Sequence, residues 1–427
     1  MLPLLIVTRI VGYVCARSVE WIDGETRARL DDGQHLVPLL QASSLWRVAA
    51  LSMLFGYCRV EIGDSVELTH SADKGVLRVP HGHHRHYVPY ATSVSIGVSY
   101  GRVVDGSALV ALERCGLGSL CLQRAFSLRT RIRIEGAAAV GAPRMAANAC
   151  AFGRLLRRMM PNANRASIDI VDCGKEIGAS SVGALEEHMG VVLRSVADGR
   201  QSIYVGLDSC LLQPVLQSCS RIENIARFSC RWNSSTYKTT AAIIHANAQS
   251  LLDLRITCDT LEHFGELVVS DRGAACTYSN LGILYLGGRV DGSLRRVPPL
   301  PGAEPFPRLA QLACRIPYPF SDDVVFRGNG STLHHILVCA DAKDVEFLAR
   351  LGPFAGKRLK ALKRLVVNGL FDETQDMSLA TGALKALTRD VLPQLEGLFM
   401  FGEYVPSAMP LALFGDTQYR CMECLSL

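Results

Sequence analysis

Six segments of the chain fit one template, with apolar residues at positions one, four and six: Leu251-x-x-Leu254-x-Ile256, Leu281-x-x-Leu284-x-Leu286, Leu309-x-x-Leu312-x-Cys314, Leu333-x-x-Ile336-x-Val338, Leu362-x-x-Leu365-x-Val367 and Leu395-x-x-Leu398-x-Met400. Their starts lie 30, 28, 24, 29 and 33 residues apart, a mean of 28.8. A weaker copy, Ile222-x-x-Ile225-x-Arg227, stands 29 residues before the first and lacks the last apolar residue. A strand this short cannot bury an apolar face alone, so a template recurring at this interval requires successive copies to stack and share one core.

The intervening segments predict helices. Residues Thr239 to Ser250, Asp344 to Leu351 and Ser378 to Val391 carry apolar residues at helical spacing among good helix formers, and each precedes the next template copy. One strand and one helix per copy is the period of long leucine-rich repeats. Upstream, looser alternation recurs in Val94-Ser-Ile96-Gly-Val98, Leu128-Arg-Thr-Arg-Ile132-Arg-Ile134 and Ile168-Asp-Ile170-Val, with helical patterns over Gly106 to Arg114, Ala146 to Met160 and Val182 to Val196. The fold class expected is α/β, a leucine-rich-repeat solenoid with parallel strands inside and helices outside.

The first sixty residues differ. Pro3 stands where a first helical turn accepts it, and Ile6, Ile10 and Val14 follow four apart. Beyond a polar stretch from Asp23 to Gln34, a second apolar pattern runs through Leu36, Leu39, Leu40, Leu45, Trp46, Ala49, Ala50 and Met53. The expected division is a small helical head over 1–60, a linker and first cap over 61–90, and the array with its C-terminal cap over 91–427.

Period-two alternation turns the residues beside the template positions away from the core. Asp253, Arg255, Tyr285, Gln311, His335, Leu337, Arg364, Val366 and Phe399 are therefore expected on the open, concave strand face, where such arrays hold partner proteins.

Composition narrows the function. With 49% apolar and 20% charged residues the chain is globular rather than disordered. A net charge of +5 is too small to argue for nucleic acid or an anionic membrane surface. The fifteen cysteines are an odd number, and most stand singly within apolar stretches, which suits buried thiols in a reducing, cytoplasmic or nuclear setting. No basic residue precedes the apolar run from Leu2 to Val7, and Arg9 interrupts it, which argues against a secretory leader. No stretch of eighteen uninterrupted apolar residues predicts a membrane span.

The signals for chemistry are weak. His81, His83, His84 and His86 lack a fourth ligand at a familiar zinc spacing, and Cys421-Met-Glu-Cys424 lacks a second pair. Gly116-Leu-Gly118 lacks the third glycine of a dinucleotide fingerprint. Asn233-Ser-Ser and Asn329-Gly-Ser match glycosylation acceptors, which matter only on a secreted chain. The basic run from Lys357 to Arg364, and Arg154, Arg157 and Arg158, read as solvated edges beside core residues. No catalytic residue, metal or cofactor is expected.

Leu2-Pro3 with Ile6, Ile10 and Val14, followed by Leu39-Leu40, Ser43 and Leu45-Trp46-Arg47-Val48-Ala49, resembles an F-box. The block Leu300-Pro301-Gly302-Ala303-Glu304-Pro305-Phe306-Pro307-x-Leu309, continuing through Tyr318-Pro319-Phe320-Ser321-Asp322-Asp323 to Phe326-Arg327-Gly328-Asn329 and Thr332-Leu333, resembles a paralogue-rich fungal family of F-box-like leucine-rich-repeat proteins. The resemblance implies a protein that grips the Skp-family adaptor of a cullin-RING ubiquitin ligase through its head and holds a target on its repeats. By position, Leu2, Pro3, Ile6, Ile10, Leu40 and Trp46 would form the adaptor surface. The alternative is a repeat scaffold without a ligase link, its head serving only as the N-terminal cap that solenoids require.

Overall fold

A computed structural model describes residues 18–22, 25–29, 41, 43–63, 65–70, 88–134, 142–172, 189–209, 213–259, 263–269, 273–288, 304–314, 332–339, 361–368 and 397–401. The chain is mixed α/β and divides into two compact units, Met1–Gly206 and Leu207–Leu427. The boundary falls inside the stretch read as one continuous array, and no shift in composition marks it.

In the first unit, β1 (Ser18–Ile22) and β2 (Glu25–Arg29) form an antiparallel hairpin within the region read as all-helical. The helix Ser44–Phe55 is N-capped by Ser43, whose Oγ accepts from Trp46 N. It buries Ala49, Ala50 and Phe55 and runs through Gly56 straight into β3 (Tyr57–Ile62). β3 pairs antiparallel with β4 (Val66–His70) and parallel with β5 (Ser93–Ser99), so the sheet begins more than thirty residues earlier than the alternation suggests. β6 (Ser127–Ile134) and β7 (Arg165–Asp172) extend it in parallel. The unit boundary falls within β8 (Ser202–Ser209).

Helices stand in the described crossovers that follow β5, β6 and β7, as parallel pairing favours. Ser107–Arg114 buries Ala108 and Leu112, and Ala142–Met159 buries Met145, Ala149, Phe152, Leu155, Leu156 and Met159 along one stripe. The described helical residues 189–197 bury Met189, Val192, Leu193 and Val196. A Cβ on Gly153 would lie 2.4 Å from Ser195 Cβ and 2.6 Å from its carbonyl oxygen, so glycine is what lets these two helices approach.

In the second unit β9 (Ile225–Trp232), β10 (Asp253–Cys258), β11 (Ile283–Gly288), β12 (Gln311–Cys314), β13 (His335–Cys339), β14 (Arg364–Asn368) and β15 (Gly397–Phe401) pair in parallel, each with the next in sequence. Leu251, Leu254, Ile256, Leu281, Leu284, Leu286, Leu309, Leu312, Cys314, Leu333, Ile336 and Leu362 are all buried. Register aligns Leu254 with Phe228 and Ile256 with Cys230, so the copy preceding Leu251 is Ile225-x-x-Phe228-x-Cys230. The expected Ile222-x-x-Ile225-x-Arg227 is displaced by three residues, because Phe and Cys fill the core positions here and Arg227 faces the other way.

One backbone turn ties each copy to the next. Leu252 O accepts from both Gly282 N and Ile283 N, Gly282 O from Ala310 N and Gln311 N, and Ala310 O from His334 N and His335 N. The first unit repeats the device: Gly56 O accepts from Thr92 N and Ser93 N, Thr92 O from Phe126 N and Ser127 N, and Asn164 O from Gln201 N and Ser202 N. Equivalent positions stand 36 and 34 residues apart from Gly56 to Thr92 to Phe126, against 30, 28 and 24 from Leu252 to Gly282, Ala310 and His334. The looser upstream alternation thus reflects longer repeats. Among the described residues, no helix is long and apolar enough to cross a membrane.

Candidate interaction face

The second unit gathers the expected partner-binding residues into two rows. Arg255, Tyr285, Ala313, Leu337, Val366 and Phe399 stand in register across β10 to β15, and Asp253, Ile283, Gln311, His335, Arg364 and Gly397 form the row beside them. Arg255, Tyr285, Gln311, His335 and Leu337 are half-buried. Asp253 departs from expectation: it is 4% exposed, and Arg255 closes over it, donating from Nε to Oδ1 at 3.2 Å and from Nη2 to Oδ2 at 3.1 Å. Its carboxylate is paired with Arg255 within the same strand. Tyr285 lies across Gly287, where a Cβ would come within 2.6 Å of its ring. Ile283, Ala313 and Gly397 complete the rows; they are not among the expected residues, although the same alternation places them there.

In the first unit the same face is charged. Along β6, Arg129, Arg131 and Arg133 alternate with the core residues Leu128, Thr130 and Ile132. Asp169 of β7 accepts from Arg129 Nε at 2.6 Å. Glu61 of β3 accepts from Arg59 Nε at 2.8 Å and, reaching across β5, from Arg133 Nη1 at 2.7 Å. That reach depends on Gly97, whose Cβ would stand 2.1 Å from Glu61 Oε2. Burial pushes the Glu61 carboxyl up, but the hydrogen bonds and charges of Arg133 and Arg59 outweigh it and leave its pKa below the ordinary value. The arginine alternation was visible in the sequence, but only its apolar partners were read.

The remaining candidates have structural roles or lie elsewhere. Trp46 is partly exposed on its helix, whereas Leu2, Pro3, Ile6, Ile10 and Leu40 lie outside the described residues, as do the four histidines, Asn329 and Cys421 and Cys424. Asn233 makes a turn, its Oδ1 accepting from Ser235 N and Thr236 N at 3.0 and 2.9 Å, ahead of the helix Tyr237–Ala246. Gly116 sits at φ 75° before a 3-10 turn over Leu117–Ser119. Arg154, Arg157 and Arg158 are all exposed, as expected; Arg157 also pairs with Asp198, and Arg158 donates to Gly118 O. Burial raises the Cys58 thiol to about 12, which keeps it protonated and unreactive. Among the described residues, no group of three or more His, Cys, Asp and Glu side chains is placed to hold a metal ion. No family model matches the chain, and no curated protein matches its sequence.

Proposed function

We propose that the chain is a non-enzymatic interaction protein: a substrate-recognition subunit of a cullin-RING ubiquitin ligase, with an F-box-like head for a Skp-family adaptor and leucine-rich repeats that hold the target on their strand face. The observation that carries this reading is the separation of faces in β10 to β13. Leu254, Ile256, Leu284, Leu286, Leu312, Cys314 and Ile336 are buried, while the row from Arg255 through Tyr285 and Ala313 to Leu337 stays partly open and mixes a cation, an aromatic ring and aliphatic groups. Arginine and aromatic anchors of this kind are enriched in protein interfaces. Partial exposure of Trp46, beside the buried Ala49 and Ala50, leaves it able to meet an adaptor.

One observation favours the second reading, a capped repeat scaffold with no ligase link. The helix Ser44–Phe55 is stitched to the sheet through Gly56, whose carbonyl accepts from Thr92 N and Ser93 N, as a terminal cap would be. Co-expression with a fungal Skp-family adaptor separates the two. The ligase reading expects a stable complex that the triple variant Leu2→Ala/Ile6→Ala/Trp46→Ala loses while keeping its circular dichroism spectrum. A well-folded wild-type chain that forms no complex contradicts it and leaves the scaffold.

A further inference from the structure

The three arginines of β6 stand at alternate residues, so they form a single column on the open face, spaced about 6.6 Å apart by strand geometry. The carboxylates that face them are already committed. Asp169 is the direct register neighbour of Arg131, yet it bonds Arg129; Glu61 lies over Gly97, the register neighbour on the other side, yet it bonds Arg59 and Arg133. Arg131, exposed at the centre of the column, makes no hydrogen bond or ion pair with any described residue. The two flanking ion pairs hold Arg129 and Arg133 in place and engage both carboxylates. The hydroxyl-bearing Ser93, Ser95, Ser99 and Ser127 line the adjoining register positions.

We propose that this column binds an extended, acidic peptide segment of a partner protein, with alternate Asp or Glu side chains meeting Arg129, Arg131 and Arg133. The match is one of spacing and charge. An extended peptide laid along β6 presents every second side chain at the same interval as the arginines, and a carboxylate takes the planar guanidinium fork in two parallel hydrogen bonds. The charge pattern favours a peptide over a nucleic acid. Glu61 and Asp169 stand in the row of Arg131 on β3 and β7, and Glu67 stands beside Glu61 on β4, so carboxylates interrupt the positive charge that Arg59 and Arg165 carry on the flanking strands. A phosphodiester chain crossing it would meet those carboxylates. The proposal rests on the chain being an interaction protein and is independent of the adaptor.

The test uses the full chain and a fluorescein-labelled peptide of about a dozen residues with Glu at alternate positions, read by anisotropy at about 50 mM salt. A Gln-for-Glu peptide and a single-stranded oligonucleotide serve as comparison probes. Arg131→Gln removes the uncommitted guanidinium without unpairing either carboxylate, and Arg154→Gln removes an exposed arginine of the helix Ala142–Met159. The expected result is binding of the acidic peptide alone, weakened about tenfold by Arg131→Gln and unchanged by Arg154→Gln. The proposal is overturned by absence of binding, by equal effects of the two variants, or by an oligonucleotide that binds more tightly and loses as much in Arg131→Gln. Adaptor co-expression of Arg131→Gln keeps this outcome separate from that of the ligase reading.

Discussion

Asn247 ends the helix Tyr237–Ala246 and is 2% exposed. Its Oδ1 accepts from Ile225 N at 2.9 Å, and its Nδ2 donates to Ile243 O at 3.0 Å and Ile222 O at 3.3 Å. One side chain thus closes the helix and fastens it to the start of β9. The three partners fix which end of the amide is which, because the N–H requires the oxygen and the two carbonyls require the nitrogen. Asn247→Ala removes all three bonds. At about 1 kcal/mol net for each, with buried groups left unsatisfied, the loss is about 3 kcal/mol. Asn247→Asp keeps the acceptor for Ile225 N but sets a buried carboxylate against two carbonyl oxygens. Its folded-state pKa must therefore rise above the unfolded value. Its stabilising hydrogen bonds are then present below the unfolded pKa and are lost as pH rises through the folded one. Urea denaturation followed by circular dichroism should find the Asp variant less stable than the Ala variant at pH 7, with the gap narrowing or reversing near pH 4. Parallel pH profiles for the two variants, or a loss below about 1 kcal/mol for Asn247→Ala, would refute the assignment of this side chain as the fastening.

Three further outcomes follow from the packing. Leu284→Ala empties a fully buried template position and should cost about 2–5 kcal/mol, whereas Tyr285→Ala on the opposite face should cost under half as much by the same denaturation assay. Gly97→Ala places a methyl where the Glu61 carboxylate lies and should lower stability by about 1–2 kcal/mol, because the lost charge-assisted bond to Arg133 exceeds the strand's gain from alanine; addition of Glu61→Gln should then cost little more. Thr130 is fully buried in register between Ile96 and Ile168, and its Oγ1 has no hydrogen-bond partner among the described residues, so Thr130→Val should raise the denaturation midpoint, by about 1 kcal/mol in stability.

The sequence disclosed most where one chemistry repeats. Leucine stands at all six template starts because the position needs one large aliphatic group, and the five among the described residues, Leu251, Leu281, Leu309, Leu333 and Leu362, are buried. The reading slipped at Ile222 because the core also accepts Phe228 and Cys230, which a leucine template passes over. It missed β3 because Cys58, Val60 and Ile62 make only three alternations, too few to stand out from chance. The helices Ser107–Arg114 and Tyr237–Ala246 were legible from apolar spacing, but the stitching of helix Ser44–Phe55 to the sheet depends on Gly56 O and two distant N–H groups, which no local pattern encodes. Arg255, Tyr285 and His335 are half-buried on the strand face opposite the template residues, as alternation places them, but alternation carries no sign that Asp253 is covered by its own strand neighbour.

Cysteine scanning along β10 tests the partition into core and open face most directly. Single substitutions Leu254→Cys, Arg255→Cys, Ile256→Cys and Thr257→Cys, each labelled with a maleimide in the native state and read by peptide mass spectrometry, should show period-two reactivity. Residues 255 and 257 should react readily, and 254 and 256 only on unfolding. Uniform reactivity along the strand, or fast labelling at 254 and 256 with protection at 255 and 257, would contradict the claim that one side of this sheet is core and the other is open to a partner.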